Sequence, residues 1–420
     1  MTRKQWKRLE VLDRLDEGEW TMREAAELAG VSTRHFRRLR EEFARGGHQC
    51  LLHGNTGRIP VNRMVDAIRE QILELRRGKY DGFNDTHFTE KVVEVEKVSV
   101  SRQTVQRLLR GAGIASPRKR RPRKYRRRRE RLAQPGMMIL WDGSEHDWLE
   151  GRGGKLCLMG AVDDATGKLL AGAHFVEHEC SASYLRVLRG IVRQHGVPWK
   201  AYMDSHGSLR RNDDSWTLAE ELAGRQEPTQ VGRALEVLSI EVIFADSPQA
   251  KGRIERAWGT LQDRLTSELR LAGASTEEEA NAVLERYRPE YNRRFGVAPA
   301  NCRPAWRKLP KGADLDRICS FYRTAKVRND NTVPFEGRMI DLPSGPRGTS
   351  LAGNQVEIRQ LLSGEIRVYL GEKMLTSMSG APRQHSLRNQ RRAPREQPPR
   401  AESKPQLTFR EIVEKHRKAG

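Results

Sequence analysis

Three acidic residues stand where carboxylates could act together. Asp142 closes the apolar run Met138-Ile-Leu-Trp-Asp142, and Asp204 closes Trp199-Lys-Ala-Tyr-Met-Asp204. Glu255 opens a helix that follows the turn signal Ser247-Pro-Gln-Ala-Lys-Gly252. Sites in mixed α/β sheets tend to assemble at the carboxyl ends of strands, so acids from three separated elements can converge. Hard divalent cations such as Mg²⁺ take oxygen ligands, usually one or two carboxylates together with water and substrate phosphate. An acid cluster in a strongly basic chain therefore suggests metal-assisted phosphoryl transfer. Lys251 and Arg253, beside the start of the helix, are candidate phosphate contacts, because cationic donors there reinforce a helix N-terminus. The alternative for both is a structural salt bridge, and for Glu255 it is a surface ion pair with Lys251, Arg253 or Arg256.

Other acids compete less well for this role. Asp163 and Asp164 end a strand at a turn, which is a structural position, and Asp147 and Asp246 stand in no motif. His146, four residues after Asp142, either touches substrate or a metal-bound water, or is a polar surface histidine.

The elements that must position these groups can be read from the apolar pattern. Met138–Asp142, Lys155–Asp163 and Leu169–Val176 predict three adjacent strands in an antiparallel meander. A helix follows from about Ser181 through Tyr184, Leu185, Leu188, Ile191 and Val192 to Gly196. Trp199–Asp204 predicts a fourth strand, Arg233–Leu238 a helix, and Ile240–Ala245 a fifth strand. Ile254, Trp258, Leu261 and Leu265 then form the apolar stripe of the helix that carries Glu255. The sum is a mixed five-stranded sheet covered by helices, an α/β core.

Ahead of the core, residues 4–43 read as a compact helical unit. Thr21-Met-Arg-Glu24 has capping-box spacing. A short helix through Ala25, Ala26 and Leu28 stops at Gly30, and Thr33–Phe43 makes another. Helix, glycine turn, helix is the helix-turn-helix plan, with Arg34, Arg37 and Arg38 on the outer face as DNA contacts and Phe36, Leu39 and Phe43 packed inward. The competing reading is a basic bundle that contacts only protein. A second copy runs from Ile68, Ile72 and Leu75 through Thr86–Glu96 to Arg102–Arg110, with Arg102 and Arg107 as its DNA contacts. Arg118–Arg131 then holds eleven basic residues and one acid. Such a block is either a solvated linker or a sequence-blind strap across a duplex.

With 77 Lys and Arg against 55 Asp and Glu, the chain carries a formal net charge of +22. Such a balance favours a polyanionic partner, nucleic acid or an anionic membrane surface. No run of about 18 apolar residues exists, and the first ten residues lack the apolar stretch of a secretory signal. We therefore expect no membrane partner and a cytoplasmic protein. Cys50, Cys157, Cys180, Cys302 and Cys319 are odd in number and show no C-x-x-C spacing, so reduced thiols are expected.

Trp141-Asp142-Gly143, Tyr202-Met-Asp204-Ser-His-Gly207 and Thr229–Leu235 through Ser247–Arg256 resemble the catalytic core of DDE transposases and retroviral-type integrases. Asp142-Gly-Ser-Glu-His-Asp-Trp148, Asp163-Asp-Ala-Thr166 and Thr260-Leu-Gln-Asp-Arg-Leu265 are similar to the ISNCY group of bacterial insertion-sequence transposases. The resemblance covers residues 135–300 well and the helix-turn-helix plan with lower specificity. It implies an RNase H-like fold, a metal-binding catalytic triad of Asp142, Asp204 and Glu255, and two Mg²⁺ or Mn²⁺ ions. It further implies cleavage and transfer of strands of double-stranded DNA, action as a homo-oligomer on that DNA, and a bacterial, nucleoid-associated setting. The rivals are a DNA-binding regulator with an inactive core and a nuclease that cuts without joining. This sequence departs from the family pattern in two places. Asp204 and Glu255 are farther apart than in the wider pattern, so Leu209 to Pro228, with Asp213 and Asp214, reads as an insertion. Ser-His-Gly stands after Asp204 where the wider pattern has Asn-Gly.

The organisation expected is helix-turn-helix domains at 1–53 and 54–116, a basic linker at 117–134 and the core at 135–300. A small β-barrel at 301–378 and a disordered basic tail at 379–420 complete it.

Overall fold

The structure, a computed structural model, describes residues 2–52, 63–117, 129–204, 207, 209, 216, 218–224, 226–244 and 252–382. Lys251, Asp213, Asp214, Asp246, most of the basic run and nearly all of the tail lie outside the described residues. The chain divides into two compact units, Met1–Ile72 and Leu73–Gly420.

In the first unit, α1 (Arg3–Asp16), α2 (Met22–Leu28) and α3 (Thr33–Gly46) pack around Leu12, Ala25 and Phe36. Thr2 with Gln5 and Thr21 with Glu24 form capping boxes at the starts of α1 and α2. They satisfy backbone donors that a helix start otherwise leaves open. Gly30, at φ +67°, makes the turn after α2, and Ser32 caps α3.

Helix α4 (Asp66–Arg77) crosses the boundary and leads to α5 (Asp85–Glu94) and α6 (Arg102–Gly111), capped by Asn84 and Ser101. Then come β1 (Met138–His146), β2 (Leu156–Asp163), β3 (His174–Val176), α7 (Ser181–Gln194), β4 (Lys200–Met203), α8 (Leu218–Ala223), α9 (Gln230–Val237), β5 (Glu241–Phe244), α10 (Ile254–Leu271) and α11 (Glu277–Phe295). The sheet order is β3-β2-β1-β4-β5. β1, β2 and β3 pair antiparallel, whereas β4 joins β1, and β5 joins β4, in parallel. Each face of the sheet has its own apolar core. Ile139, Trp141 and Ala201 pack with α7 and α9 on one side. Met138, Leu140 and Leu158 pack with α10 and α11 on the other. β2 is buried at every position, and a strand covered on both faces reads as one continuous apolar run. This is the RNase H-like arrangement, three layers with the sheet in the middle.

β3 is shorter than the predicted Leu169–Val176. Leu169 makes only an isolated bridge to Val162, and the chain then turns at Gly172, φ +82°. There it touches Gly190 of α7 so closely that a Cβ on Gly190 would lie 2.5 Å from the Gly172 Cα. Just beyond this contact sits His174. Its Nδ1 is 2.7 Å from the Gly172 carbonyl oxygen, and burial pushes its pKa down to about 4.

Helix α5 is fastened to α10 and α11 by charged and polar pairs rather than by an apolar seam. Asn84 Nδ2 donates to Asp263 at 2.6 Å, and Glu268 receives both His87 Nε2 and Lys91 Nζ at 2.7 Å. Arg264 meets Glu90 at 2.5 Å, and Arg294 reaches Glu90 at 3.2 Å and also Glu94. Burial works to raise the Glu268 pKa, but His87 and Lys91 hold it below the ordinary carboxylate range.

After the core, α12 (Leu315–Ile318) leads into β6 (Phe321–Lys326), β7 (Thr332–Phe335), β8 (Arg338–Asp341), β9 (Gln355–Gln360), β10 (Ile366–Leu370) and β11 (Lys373–Met378). A four-stranded antiparallel sheet, β11-β10-β9-β6, and the hairpin β7–β8 enclose one core around Val333, Val356 and Val368. The β domain expected here is present as sheet plus hairpin, without the ring of strand pairing that closes a barrel. The Gln230 side chain joins it to α9 by pairing with the Tyr322 backbone, giving to its carbonyl at 3.0 Å and taking from its N–H at 2.7 Å. Among the described residues no helix is long and apolar enough to cross a membrane, and all five cysteines are free thiols.

Two outcomes follow from this packing. Gly190→Ala forces the α7 contact apart and should cost about 1–3 kcal/mol of stability, measured by urea unfolding; an unchanged midpoint would contradict the close approach. An unfolded His protonates near pH 6.5, and the folded ring resists it. The His174 contribution is therefore complete above that pH and is lost as pH falls from about 6.5 towards 4. His174→Gln should flatten the dependence of unfolding free energy on pH in that window; equal slopes for the two proteins would exclude this linkage.

Candidate active site

The pairing of β1 with β4 sets the geometry of the site. Its register runs Met138↔Lys200, Ile139↔Ala201, Leu140↔Tyr202 and then ends. Asp142 and Asp204 are each two residues beyond the last pair, so the two-residue alternation of extended chain puts both on the side of Leu140 and Tyr202. That is the side covered by α10. Asp142 is half-buried and Asp204 is exposed.

Two contacts fix α10 over this place. Gln262 Nε2 donates to Ser144 Oγ at 3.0 Å. Trp258 lies over Gly160, where a Cβ would come within 3.1 Å of the indole, and Gly160 is the cross-strand partner of Asp142. One turn before Trp258, Glu255 is exposed in the first turn of α10, where a carboxylate also favours the positive end of the helix dipole. Asp142 and Asp204 thus share one face of the sheet, the face that the helix bearing Glu255 covers. Among the described residues no three His, Cys, Asp or Glu side chains gather tightly enough to hold an ion between them. By its donor chemistry the set of three carboxylates fits a hard divalent cation.

The neighbouring acids do structural work. Asp163 accepts from the Gly136 N–H at 2.8 Å and from both the N–H and hydroxyl of Thr166. Asp164 is fully buried and takes the Arg129 guanidinium at 2.6 Å, the Leu132 N–H at 2.8 Å and the Arg253 guanidinium. Arg253 also donates to the Arg129 carbonyl and is only 13% exposed. It ties the start of α10 to the strand-end turn. Asp147 accepts from the Gly151 N–H in a turn, and the His146 ring meets Trp148 edge-on at 5.3 Å.

On the helical units, Arg34, Arg37 and Arg38 of α3 are exposed while Phe36 and Leu39 are buried. Arg102 and Arg107 of α6 are likewise exposed. They share an open groove with Gln103, Gln106 and Arg110, the last held by Asp85 and the Ile114 carbonyl. The two glutamines are not among the residues the sequence singles out. Their spacing from the arginines, four positions from Arg102 to Gln106 and from Gln103 to Arg107, is the signal that could have found them, since it places each glutamine beside an arginine on the same face.

A family model described as Winged helix-turn helix matches residues 8–70. The solved simian T-cell lymphotropic virus intasome in complex with PP2A regulatory subunit B56 gamma aligns at a TM-score of 0.30 and 12% identity. That alignment covers 75% of this chain and 99% of the other. The transposase for insertion sequence IS1202 of Streptococcus pneumoniae is 27% identical over 407 residues, covering 87% of this chain and 84% of that protein. The protein y4bF of Sinorhizobium fredii, described as a transposase, is 36% identical over 369 residues, covering 88% of this chain and 79% of that protein. With identity of that extent over most of both chains, this protein belongs to the insertion-sequence transposases.

Proposed function

We propose that this chain binds the ends of a mobile DNA element and catalyses divalent-metal-dependent cleavage and transfer of DNA strands, with Asp142, Asp204 and Glu255 holding the metal. The observation that supports this reading is the β1–β4 register, which sets the Asp142 and Asp204 positions alongside each other on the face that α10, the helix of Glu255, covers. Two Mg²⁺ or Mn²⁺ ions, when bound, supply Lewis-acid activation of the attacking oxygen and stabilise the departing one.

The chain's own residues account for the rest. Asp142, Asp204 and Glu255 would hold the cations and offset their charge. In the first reaction water adds to the phosphorus at the element end, the P–O3′ bond breaks, and a 3′-hydroxyl is released. In the second that hydroxyl adds to a target phosphodiester and displaces its 3′ oxygen. No protein nucleophile is needed in either reaction. The exposed arginines of α3 and α6 bind duplex DNA and keep the element end at the acids. Arg253, committed to Asp164, secures the start of α10. Lys251 is a phosphate contact in this scheme. The protein works as a homo-oligomer that brings two element ends together, in the bacterial cytoplasm where that DNA lies.

The test is strand cleavage and joining on labelled element-end duplex with Mg²⁺ or Mn²⁺. Asp142→Asn, Asp204→Asn and Glu255→Gln should each abolish both products and leave DNA affinity at the wild-type value. Products that persist in the triple variant would sink the assignment, and a wild type that binds without cutting would identify a regulator instead. For the DNA-facing arginines, Arg37→Ala and Arg107→Ala should each weaken duplex binding and reduce the log–log salt slope by about 0.9 for every phosphate no longer neutralised. Fluorescence anisotropy over a salt series measures it, and an unchanged slope and affinity would remove that side chain from the interface.

A further inference from the structure

Asp142 is approached from behind the sheet by a pair of side chains that the proposed reaction does not use. Its neighbours in sequence, Trp141 and Gly143, alternate to the opposite face, the one packed against α7. Trp141 meets the ring of Tyr184 edge-on, with centroids 5.2 Å apart and planes at 62°. Tyr184 comes from the first turns of α7 and is only 1% exposed. Its hydroxyl donates to the carboxylate of Glu179, in the segment just before α7. The Glu179 Oε2 in turn lies so close to Gly143 that a Cβ there would stand 2.8 Å from it. The sulfurs of Met159 and Cys157, at 3.0 and 3.1 Å from the same point, complete the floor. Both residues that flank Asp142 are therefore held by one hydrogen-bonded pair, at a level where β1 has no β4 partner and keeps only β2.

We infer that Glu179 is a positioning residue for Asp142: with Tyr184 it fixes the β1 backbone on either side and so aims the carboxylate at the α10 face. Gly143 belongs to the same device, because only a residue without a Cβ admits the Glu179 carboxylate against the strand. The buried Tyr184 hydroxyl needs an acceptor, and removing it leaves an unpaired polar group in the core. Its proton is held firmly, since burial raises the phenol pKa and the nearby carboxylates Glu179 and Asp142 raise it further. Nothing in this arrangement gives Glu179 contact with substrate, so it acts through Asp142. This inference rests on the proposed catalytic role of Asp142.

The test uses the full chain and two readouts, Mn²⁺ binding by isothermal titration without DNA, and cleavage of labelled element-end duplex. Glu179→Ala and Gly143→Ala should lower the cleavage rate by about tenfold to a hundredfold, the loss expected of a displacement near 1 Å. Both should also weaken Mn²⁺ binding several-fold while duplex affinity stays at the wild-type value. Glu179→Gln still accepts the Tyr184 proton and should restore both readouts to near wild type. If the alanine variants prove unstable, Tyr184→Phe provides the gentler break and should shift both readouts in the same direction. Wild-type Mn²⁺ affinity and rate in Glu179→Ala would overturn the inference, and so would a folded Glu179→Gln as impaired as the alanine. Asp142→Asn serves as the reference. If it is inactive while Glu179→Ala cuts normally, only the positioning role falls, whereas an Asp142→Asn that cuts normally removes the catalytic reading itself.

Discussion

The parallel ladder between β1 and β4 is the constraint on which the site depends. Asp142 and Asp204 are remote in sequence, and only the backbone hydrogen bonds that align Leu140 with Tyr202 make them neighbours. A parallel pair needs a crossover, and α7 supplies it after the antiparallel meander of β1, β2 and β3. A slip of one residue in that register would turn one acid to the opposite face. Slippage is opposed from both sides, because Trp141 and Ala201 are locked into the α7 core while Leu140 and Leu158 are locked into the α10 core.

Electrostatics separates the acids into two kinds. Asp163 and Asp164 are buried, Glu268 is largely so, and each accepts from two or more donors, so their charge is spent on holding turns and helices. Asp204 and Glu255 are exposed, and Asp142 is half-buried in the middle of β1, which runs on to His146 past the predicted strand end. In a chain of net charge +22, three carboxylates that are not fully buried and that two strands and a helix supply to one part of the core are conspicuous. The basic residues divide in the same way: Arg253, beside Glu255 in sequence, is committed to Asp164, while Arg34, Arg37 and Arg38 of α3 and Arg102 and Arg107 of α6 are exposed.

Much of this is legible in the sequence because local signals agree with the tertiary fold. Thr21 with Glu24 and Thr276 with Glu279 mark helix starts that are present as capping boxes. The apolar runs ending in Asp142 and Asp204 mark strands, and the stripe Ile254, Trp258, Leu261, Leu265 marks the buried face of α10. What escapes is non-local. Nothing near His174 says that the strand begins only there, because the interruption comes from Gly190 on a helix packed across it. β6 and β11 give no clear signal because Phe321–Lys326 and Lys373–Met378 are edge strands of mixed polarity, with little burial to impose alternation. Glu179 carries no motif at all; its place beside Gly143 is set by the crossover into α7.

The seam between α5 and α10 bears on how such proteins can diversify. A helix-turn-helix unit joined to a core by a linker can be exchanged for another without harm to the core. The unit containing α5 and α6 is not of that kind. Glu268, Arg264 and Asp263 of α10 find their counter-charges and donors on α5, and Arg294 of α11 finds two of its own there. Replacing α5 with a foreign helix would strand the buried Arg264 guanidinium, a loss that approaches about 3–5 kcal/mol for a fully buried pair, and would leave Glu268 and Arg294 without their partners. The second helical unit and the helix bearing Glu255 are therefore coupled, and under the proposed function the exposed face of α6 is where DNA preference can change without breaking this seam.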